Sequence, residues 1–230
     1  MTDQWRALLY YVGFLSSLAF GARFLVQWIG SERQKRSVVT PLFWKLSLLG
    51  NITLLSHSFI QMQLHVFLVQ TGNAVISWRN LNLMQPPTKQ ASFRTTLRIL
   101  IGAILLGTCL YLLQYAFLGE PGPLFRIPIT PWNTSQDSET SPLWHVLGFT
   151  GLILFNSRFW VQWWGAELQH QSYLGPAFWW LSLIGDTLCL AYFARLGDPV
   201  NLVGPLFGLI PYIRNLMLLK KTKQTALSQP

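Results

Sequence analysis

Long apolar runs separated by short polar segments make up most of the chain. A helix that crosses a bilayer needs about 20 residues with few charges, and seven runs approach that length. They cover approximately 7–29, 41–59, 64–84, 97–118, 143–164, 176–194 and 201–219. Soluble amphipathic helices carry a polar face at 3.6-residue spacing, and these runs carry almost no charge. The pattern predicts an all-α, polytopic membrane protein with seven transmembrane helices.

One three-helix pattern occurs twice along the chain. Arg158 lies 135 residues after Arg23, and the same shift aligns both segments without a gap. The matched pairs include Val26-Gln27-Trp28 with Val161-Gln162-Trp163, Phe43-Trp44 with Phe178-Trp179, Gly50 with Gly185, and Arg79-Asn80-Leu81 with Arg214-Asn215-Leu216. The run at 97–118 has no counterpart, so the pattern is 3+1+3. Because one extra crossing restores the orientation, the repeats are predicted to be parallel.

These repeats set the predicted domains. Residues 1–84 form the first three-helix repeat, and residues 85–142 form a linker with the inserted fourth helix and an outer loop. Residues 143–219 form the second repeat, and residues 220–230 form a basic tail. Parallel repeats are an architecture of transporters, although duplication also serves structural stability alone.

The basic residues report topology. Only 11% of residues are charged, against roughly 25% in soluble domains, yet the net charge is +9. With seven spans, nine cations fall on one side and three on the other. The nine are Arg33, Lys35, Arg36, Lys89, Arg94, Arg98, Lys220, Lys221 and Lys223. The positive-inside rule predicts an outer N-terminus and a cytoplasmic C-terminus. The charge therefore needs no nucleic-acid partner.

Two arginines lie inside predicted spans, Arg23 and its equivalent Arg158. A charge near the bilayer centre costs about 2.5–3.5 kcal/mol on insertion scales. Each arginine has a glutamine on the same helix face four residues later, Gln27 or Gln162. These faces are predicted to turn into the bundle. Helix-end carbonyls and a bound ligand are equally good partners for such guanidinium groups.

Further polar positions complete the candidate ligand-binding set. Arg79-Asn80 and Arg214-Asn215 lie near the cytoplasmic ends of spans three and seven. They are either interfacial anchors or a paired site for a phosphate group. Asn51 is matched by Asp186, which is interpreted as a titrating group, a cation ligand or a partner of Arg158. Asn73 follows Gly72 at a position where a transporter helix would break.

The sequence contains no motif that indicates a catalysed reaction. It contains no metal-ligand cluster, no phosphate-binding glycine loop and no Ser-His-Asp set. We therefore predict no catalytic residue, no metal and no cofactor.

The repeated string resembles the lipid A biosynthesis N-terminal domain family. Arg-Phe-x-x-Gln-Trp begins at Arg23 and Arg158, Ser-x-x-x-Pro-x-Phe-Trp-x-x-Ser-x-x-Gly begins at Ser37 and Ser172, and Arg-Asn-Leu closes each copy. That module is found alone or ahead of the catalytic domain of some lipid-A-disaccharide synthases, and it is similar to SWEET and PQ-loop membrane proteins. The resemblance implies a SWEET/PQ-loop-like fold and a role in lipid A or lipopolysaccharide biosynthesis in a bacterial inner membrane.

Three functional hypotheses follow. The first is a protein that binds or moves a lipid-linked or sugar phosphate intermediate, with a membrane lipid or a lipid A precursor as its partner. The second is a scaffold that does not transport but docks a lipid A enzyme, and the third is a SWEET-like small-solute transporter. The family name implies a glycosyltransferase, but the chain ends eleven residues after Leu219. We therefore expect any synthase activity to reside in another protein.

Overall fold

The described part of the chain is helical. The computed structural model describes Leu9 and residues 12–118, 141–196 and 199–227. Within these ranges lie α1 (Val12–Gln34), α2 (Pro41–Ile60), α3 (Leu64–Leu83), α4 (Phe93–Leu118), α5 (Pro142–Gln169), α6 (Pro176–Leu196) and α7 (Pro199–Leu227). A 3-10 turn spans Pro87–Lys89, and these ranges contain no strand. The all-α prediction is confirmed, while the outer loop after α4 lies outside the described residues through 140.

Proline begins four of these helices, α2, α5, α6 and α7. The first helical turn tolerates proline because its N–H group would have no intrahelical acceptor there. After α1 and α5 the backbone becomes left-handed at Lys35 and His170, both with φ of 52°. A left-handed residue directly after a helix is a common way to end it. Lys35 and His170 are equivalent positions, so the repeat extends to backbone geometry where the residues differ.

The predicted helix break at Gly72-Asn73 is wrong, because α3 is helical across it. The helix α7 likewise continues through Pro211 and through the basic residues of the predicted tail to Leu227. Proline costs an interior helix about 3 kcal/mol, and the α7 backbone accommodates it without ending.

Two stretches of the described chain are long and apolar enough to cross a membrane. They are Pro87–Phe117, which covers α4 up to Phe117, and Pro176–Arg195 in α6. Seven spans remain a prediction.

Contacts divide the chain into two compact units. The first comprises Met1–Arg23 and Pro41–Gln136, and the second comprises Phe24–Thr40 and Asp137–Pro230. In the first unit α2 packs on α3 and α3 packs on α4; in the second, α5 packs on α6 and α6 on α7. The helix α1 therefore supplies residues to both units.

Glycines at matched positions permit close helix contacts in both units. A Cβ atom on Gly185 of α6 would lie 2.6 Å from the backbone nitrogen of Phe155 in α5. At the equivalent Gly50, it would collide with the Phe20 ring of α1. Because these glycines have no side chain, the neighbouring helix can approach closely at these points. The polar residues of adjacent helices then lie within contact distance of one another.

Candidate functional site

Arg158 is the centre of a polar cluster inside the second unit. Its side chain is 1% exposed. The Nη1 group donates to the Ser182 hydroxyl at 3.3 Å and to the Tyr212 hydroxyl at 3.0 Å. The guanidinium carbon lies 3.5 Å from the centroid of the Phe155 ring, within the range of a cation–π contact. Hydroxyls and aromatic faces, rather than a carboxylate, therefore surround the buried charge.

Arg23 occupies the equivalent place in the first unit. It is 5% exposed, and its Nη1 donates to the Ser47 hydroxyl at 3.2 Å. Its guanidinium carbon lies 4.5 Å from the centroid of the Phe20 ring. The Ser47 hydroxyl donates its own proton to the Phe43 carbonyl at 2.8 Å, which leaves its lone pairs for the arginine. The Ser182 hydroxyl also donates to the carbonyl four residues before it, so both copies build the same arginine support.

Asn51, one helical turn beyond Ser47, lies in a closed amide and hydroxyl network. Its Nδ2 donates to the Ser77 hydroxyl at 3.0 Å, and that hydroxyl donates to the Asn73 carbonyl at 2.8 Å. Asn73 is buried, and its side-chain oxygen has no hydrogen-bond partner in the described part of the chain. The first unit thus brings Asn51 and Asn73 together around a serine.

Asp186 takes the place of Asn51 in the second unit and is 2% exposed. Its Oδ2 has no hydrogen-bond partner among the described residues. No ion pair within 4.0 Å joins it to Arg158 across those residues. Among the described residues, Asp186 thus makes no direct ion pair with Arg158, whose Nη1 donates to Ser182 and Tyr212 instead. The titration and cation-ligand interpretations remain.

Gln27 and Asn215 form a reciprocal amide pair in the second unit. Gln27 Nε2 donates to Asn215 Oδ1 at 2.7 Å, and Asn215 Nδ2 donates to Gln27 Oε1 at 3.1 Å. Both side chains are completely buried. The pair joins α1 to α7.

Both glutamines of the repeat also hold the loop that follows their helix. Gln27 Nε2 lies 3.4 Å from the Val38 carbonyl, and Gln162 Nε2 lies 3.1 Å from the Tyr173 carbonyl. Val38 and Tyr173 are equivalent positions. These contacts explain the repeated glutamine structurally, and a ligand contact at Gln27 or Gln162 stays a prediction.

Asn80 and Asn215 share one local contact. Each donates its side-chain amide to the carbonyl four residues earlier, Ile76 at 2.9 Å and Pro211 at 2.8 Å. Both side chains are fully buried, and Asn215 also forms hydrogen bonds with Gln27.

Arg79 and Arg214 are equivalent but bind different partners. Arg79 is 3% exposed, and its Nη1 donates to the Asn82 side chain at 2.8 Å and to the Ala91 carbonyl at 2.6 Å. Arg214 is half-buried and forms a two-point ion pair with Glu32, with Nη2 to Oε2 at 2.9 Å and a second contact between Nε and Oε1. Both guanidinium groups thus have protein acceptors, and their predicted role in phosphate binding remains untested.

The Arg214 hydrogen bond lowers the pKa of Glu32 from 4.5 to about 2. A carboxylate with a lowered pKa in the folded state stabilises the fold fully above pH 4.5 and loses that contribution as pH falls toward 2. Glu32→Gln is therefore expected to lower the melting temperature at neutral pH, and the difference from wild type is expected to vanish as pH falls through this window.

Lys35→Gln is the control for this experiment. Lys35 lies 3.7 Å from the Glu32 carboxylate, but its side chain is 70% exposed, and exposed ion pairs contribute little. The melting temperature of Glu32→Gln should be lower than that of Lys35→Gln at neutral pH. A Glu32→Gln variant that melts like Lys35→Gln at every pH would contradict the importance of the Arg214 contact.

Sequence reasoning missed three functional positions. Ser77 and Tyr212 are equivalent, yet one accepts from an asparagine and the other from an arginine. Because their side chains differ, a search for identical residues passes over them. Glu32 and Glu167 occupy equivalent positions, but the pairing of Glu32 with Arg214 depends on helix packing. No group of three or more metal-binding side chains occurs among the described residues.

Comparison with known proteins gives two matches to one family model and several relatives that align with most of this chain. The model of the lipid A biosynthesis N-terminal domain matches residues 12–82 and 147–217, and the two matches are offset like the repeats. Lipid-A-disaccharide synthase of Chlamydia felis is 37% identical over 93% of this chain and 33% of that protein. Lipid-A-disaccharide synthase of Chlamydia abortus is 36% identical over 97% of this chain and 35% of that protein. The synthase of Chlamydia pneumoniae is 34% identical over 95% of this chain and 34% of that protein. The chain spans about one third of the length of these curated relatives. No solved structure matches.

Proposed function

Because this chain belongs to the lipid A biosynthesis N-terminal domain family, of which it carries two copies, we propose that it binds or translocates a lipid-linked or sugar phosphate intermediate of lipid A assembly. One observation carries this proposal. At least 93% of the chain aligns with the first three relatives, which are named lipid-A-disaccharide synthase. The proposal places the chain beside that step without assigning it the glycosyl transfer.

The proposed location is a bacterial inner membrane, crossed seven times, with the N-terminus outside and the C-terminus in the cytoplasm. Large apolar side chains on the described surface support this location. Leu105 and Leu106 of α4 are 65% and 63% exposed, and Leu18 of α1 is 70% exposed. Such surfaces are unfavourable in water but suit lipid chains.

Arg23 and Arg158 are proposed to supply the phosphate contacts. A guanidinium group matches phosphate in a two-point contact, and both arginines already sit in polar supports of hydroxyl groups. Arg158 also has a buried Nε with no hydrogen-bond partner among the described residues. That spare donor is available to an anionic group. Asn51 and Asp186, one turn away on the same helices as the serines, would contact the remainder of the intermediate.

The test is a lipid profile of the host bacterium after depletion of this protein. We expect one lipid A precursor to accumulate several-fold, and we expect wild-type protein, but not Arg158→Ala, to restore the normal profile. Extracted lipids would be measured by mass spectrometry, with protein levels checked in the membrane fraction. Arg195→Gln, which alters an exposed arginine at the end of α6, is the matched control. A normal profile after depletion would overturn the pathway assignment.

A scaffold is the second candidate function, and one comparison favours it. In the relatives, the matched third is continuous with the other two thirds of a protein named lipid-A-disaccharide synthase. This family module would then hold such an enzyme at the membrane through exposed basic residues such as Lys35 and Arg36. Copurification of the synthase, lost in a Lys35→Glu and Arg36→Glu variant while Arg158→Ala keeps it, would favour the scaffold.

A further inference from the structure

Asp186 combines deep burial with an unsatisfied carboxyl oxygen. Its residue is 2% exposed, and Oδ2 has no hydrogen-bond partner in the described ranges. The carboxyl group faces Gly208 of α7, where a Cβ atom would lie 2.7 Å from Oδ2. Glycine at this helix contact leaves the space that the carboxyl group occupies in the described conformation. Among the described residues, the second unit thus accommodates a carboxyl group whose Oδ2 receives no hydrogen bond.

Each of the helices α5, α6 and α7 brings a titratable side chain near Asp186. The helix α5 contributes Arg158, α6 itself contributes the buried Cys189 one turn later, and α7 contributes Tyr212. The Tyr212 hydroxyl lies 3.0 Å from the same Gly208 Cβ position, so it is a close neighbour of Oδ2. That hydroxyl accepts from Arg158 at 3.0 Å. The hydrogen bond of Arg158 Nη1 therefore goes to Tyr212, and no described residue donates a hydrogen bond to Asp186 Oδ2.

The first repeat supplies an internal comparison. Asn51 has the shape of a protonated aspartate and the same place in its unit, and it is neutral. Its amide donates to Ser77, the equivalent of Tyr212. An ionised carboxylate with no donor is strongly disfavoured in an interior, whereas a neutral one is tolerated. The equivalent position is therefore built for a neutral side chain in both copies.

We propose that Asp186 is a proton-binding site, neutral in the described conformation and ionised in a second conformation where Arg158 leaves Tyr212 and pairs with the carboxylate. In that exchange the O–H bond of the carboxyl group breaks, its electron pair stays on the oxygen, and the proton passes to water. The spare Nε donor of Arg158 gives the guanidinium a second hydrogen bond for the carboxylate. Charge inside the unit is then balanced by an ion pair.

Proton binding goes beyond the proposed function and does not require it. Only the next step rests on that function: if Arg158 holds a phosphate, release of the proton from Asp186 would compete with the ligand for the same guanidinium. Proton binding is measured without any ligand, so its failure and the failure of the lipid assignment are distinguishable.

The test uses the full chain in lipid nanodiscs without ligand. A hydrophobic carbodiimide, which reacts with protonated carboxyl groups, should modify Asp186 at neutral pH, and the modified peptide should be found by mass spectrometry. Infrared spectra should show a protonated carboxyl band that shifts in D2O and is missing in Asp186→Asn. Asparagine stands at the equivalent position in the first repeat, so this variant should fold. Absence of both the adduct and the band in folded wild-type protein would overturn the proposal.

Tyr212→Phe tests the exchange of Arg158. The variant removes the hydroxyl that competes for the Arg158 guanidinium. The equilibrium constant for the ion pair between Arg158 and Asp186 should therefore rise about tenfold, which is the effect of losing one hydrogen bond to a charged group. Carbodiimide labelling should then fall at neutral pH relative to wild type. Labelling that is unchanged in Tyr212→Phe would overturn the Arg158 exchange, since the hydroxyl would then have no influence on protonation.

Discussion

Gly185→Ala is expected to destabilise the second unit severely. The added Cβ atom would lie 2.6 Å from the Phe155 backbone nitrogen and 3.0 Å from the Gly151 carbonyl oxygen. Both neighbours are backbone atoms, so no side-chain rotation relieves the collision. Overpacking of this kind costs about 1–3 kcal/mol or more, and it exceeds the gain of about 1 kcal/mol from alanine in a helix. The melting temperature should fall by roughly 2–4 °C for each kcal/mol lost.

Gly102→Ala is the matched control, because a Cβ on this α4 residue meets nothing within 4 Å. It should leave the melting temperature unchanged or raise it. Thermal melts of both variants in one detergent give the comparison. Equal melting temperatures for Gly185→Ala and Gly102→Ala would show that α5 and α6 are not held in this close contact.

The second large effect is expected at the Gln27–Asn215 pair. Gln27→Leu leaves the buried Asn215 amide without its closest partner, which costs about 1–3 kcal/mol. Asn215→Leu does the same to Gln27. The double variant removes both polar groups, so its loss should be smaller than the sum of the two single losses. A double-mutant cycle should give a coupling of about 0.5–3 kcal/mol.

Thr187→Val provides the control for this cycle. Thr187 is exposed, and its one hydrogen bond within the described part of the chain goes to the carbonyl four residues earlier, so the loss caused by Thr187→Val should add to that of Gln27→Leu. Unfolding free energies of all the variants would be measured under one condition. Simple additivity for the Gln27 and Asn215 substitutions would show that the amide pair contributes no coupling.

The helices were predictable from sequence because their apolar runs are long and proline marks several starts. The ends were less predictable. The predicted fifth run stops at 164, but α5 continues to Gln169, and the seventh stops at 219, while α7 continues to Leu227. A helix that extends past an apolar run keeps its backbone hydrogen bonds while its side chains become polar, so hydropathy does not mark its end. The left-handed caps at Lys35 and His170 lack the usual glycine signal.

The candidate site was predictable where identical residues recur. Arg23 and Arg158 were found by repetition, and the structure gives both the same serine support. The other hydrogen-bond partners of these clusters were not predictable. Position 77 holds serine where position 212 holds tyrosine, and the identity of a side chain does not say which helix it faces. For Asp186 the sequence left three interpretations open, one of them a pairing with Arg158. The hydroxyl groups of Ser182 and Tyr212 accept hydrogen bonds from Arg158 instead, and only helix packing reveals these contacts.

The division of α1 between two units has a consequence for how copies of this module can be separated. Asn215 and Arg214 of the second unit take their partners from the segment Phe24–Thr40. Cleavage between the repeats would leave each fragment with side chains whose hydrogen-bond partners lie in the other fragment. Two such fragments should recover these bonds only by binding to each other. The covalent link between the repeats thus keeps in one molecule the contacts that separate fragments would have to form by association.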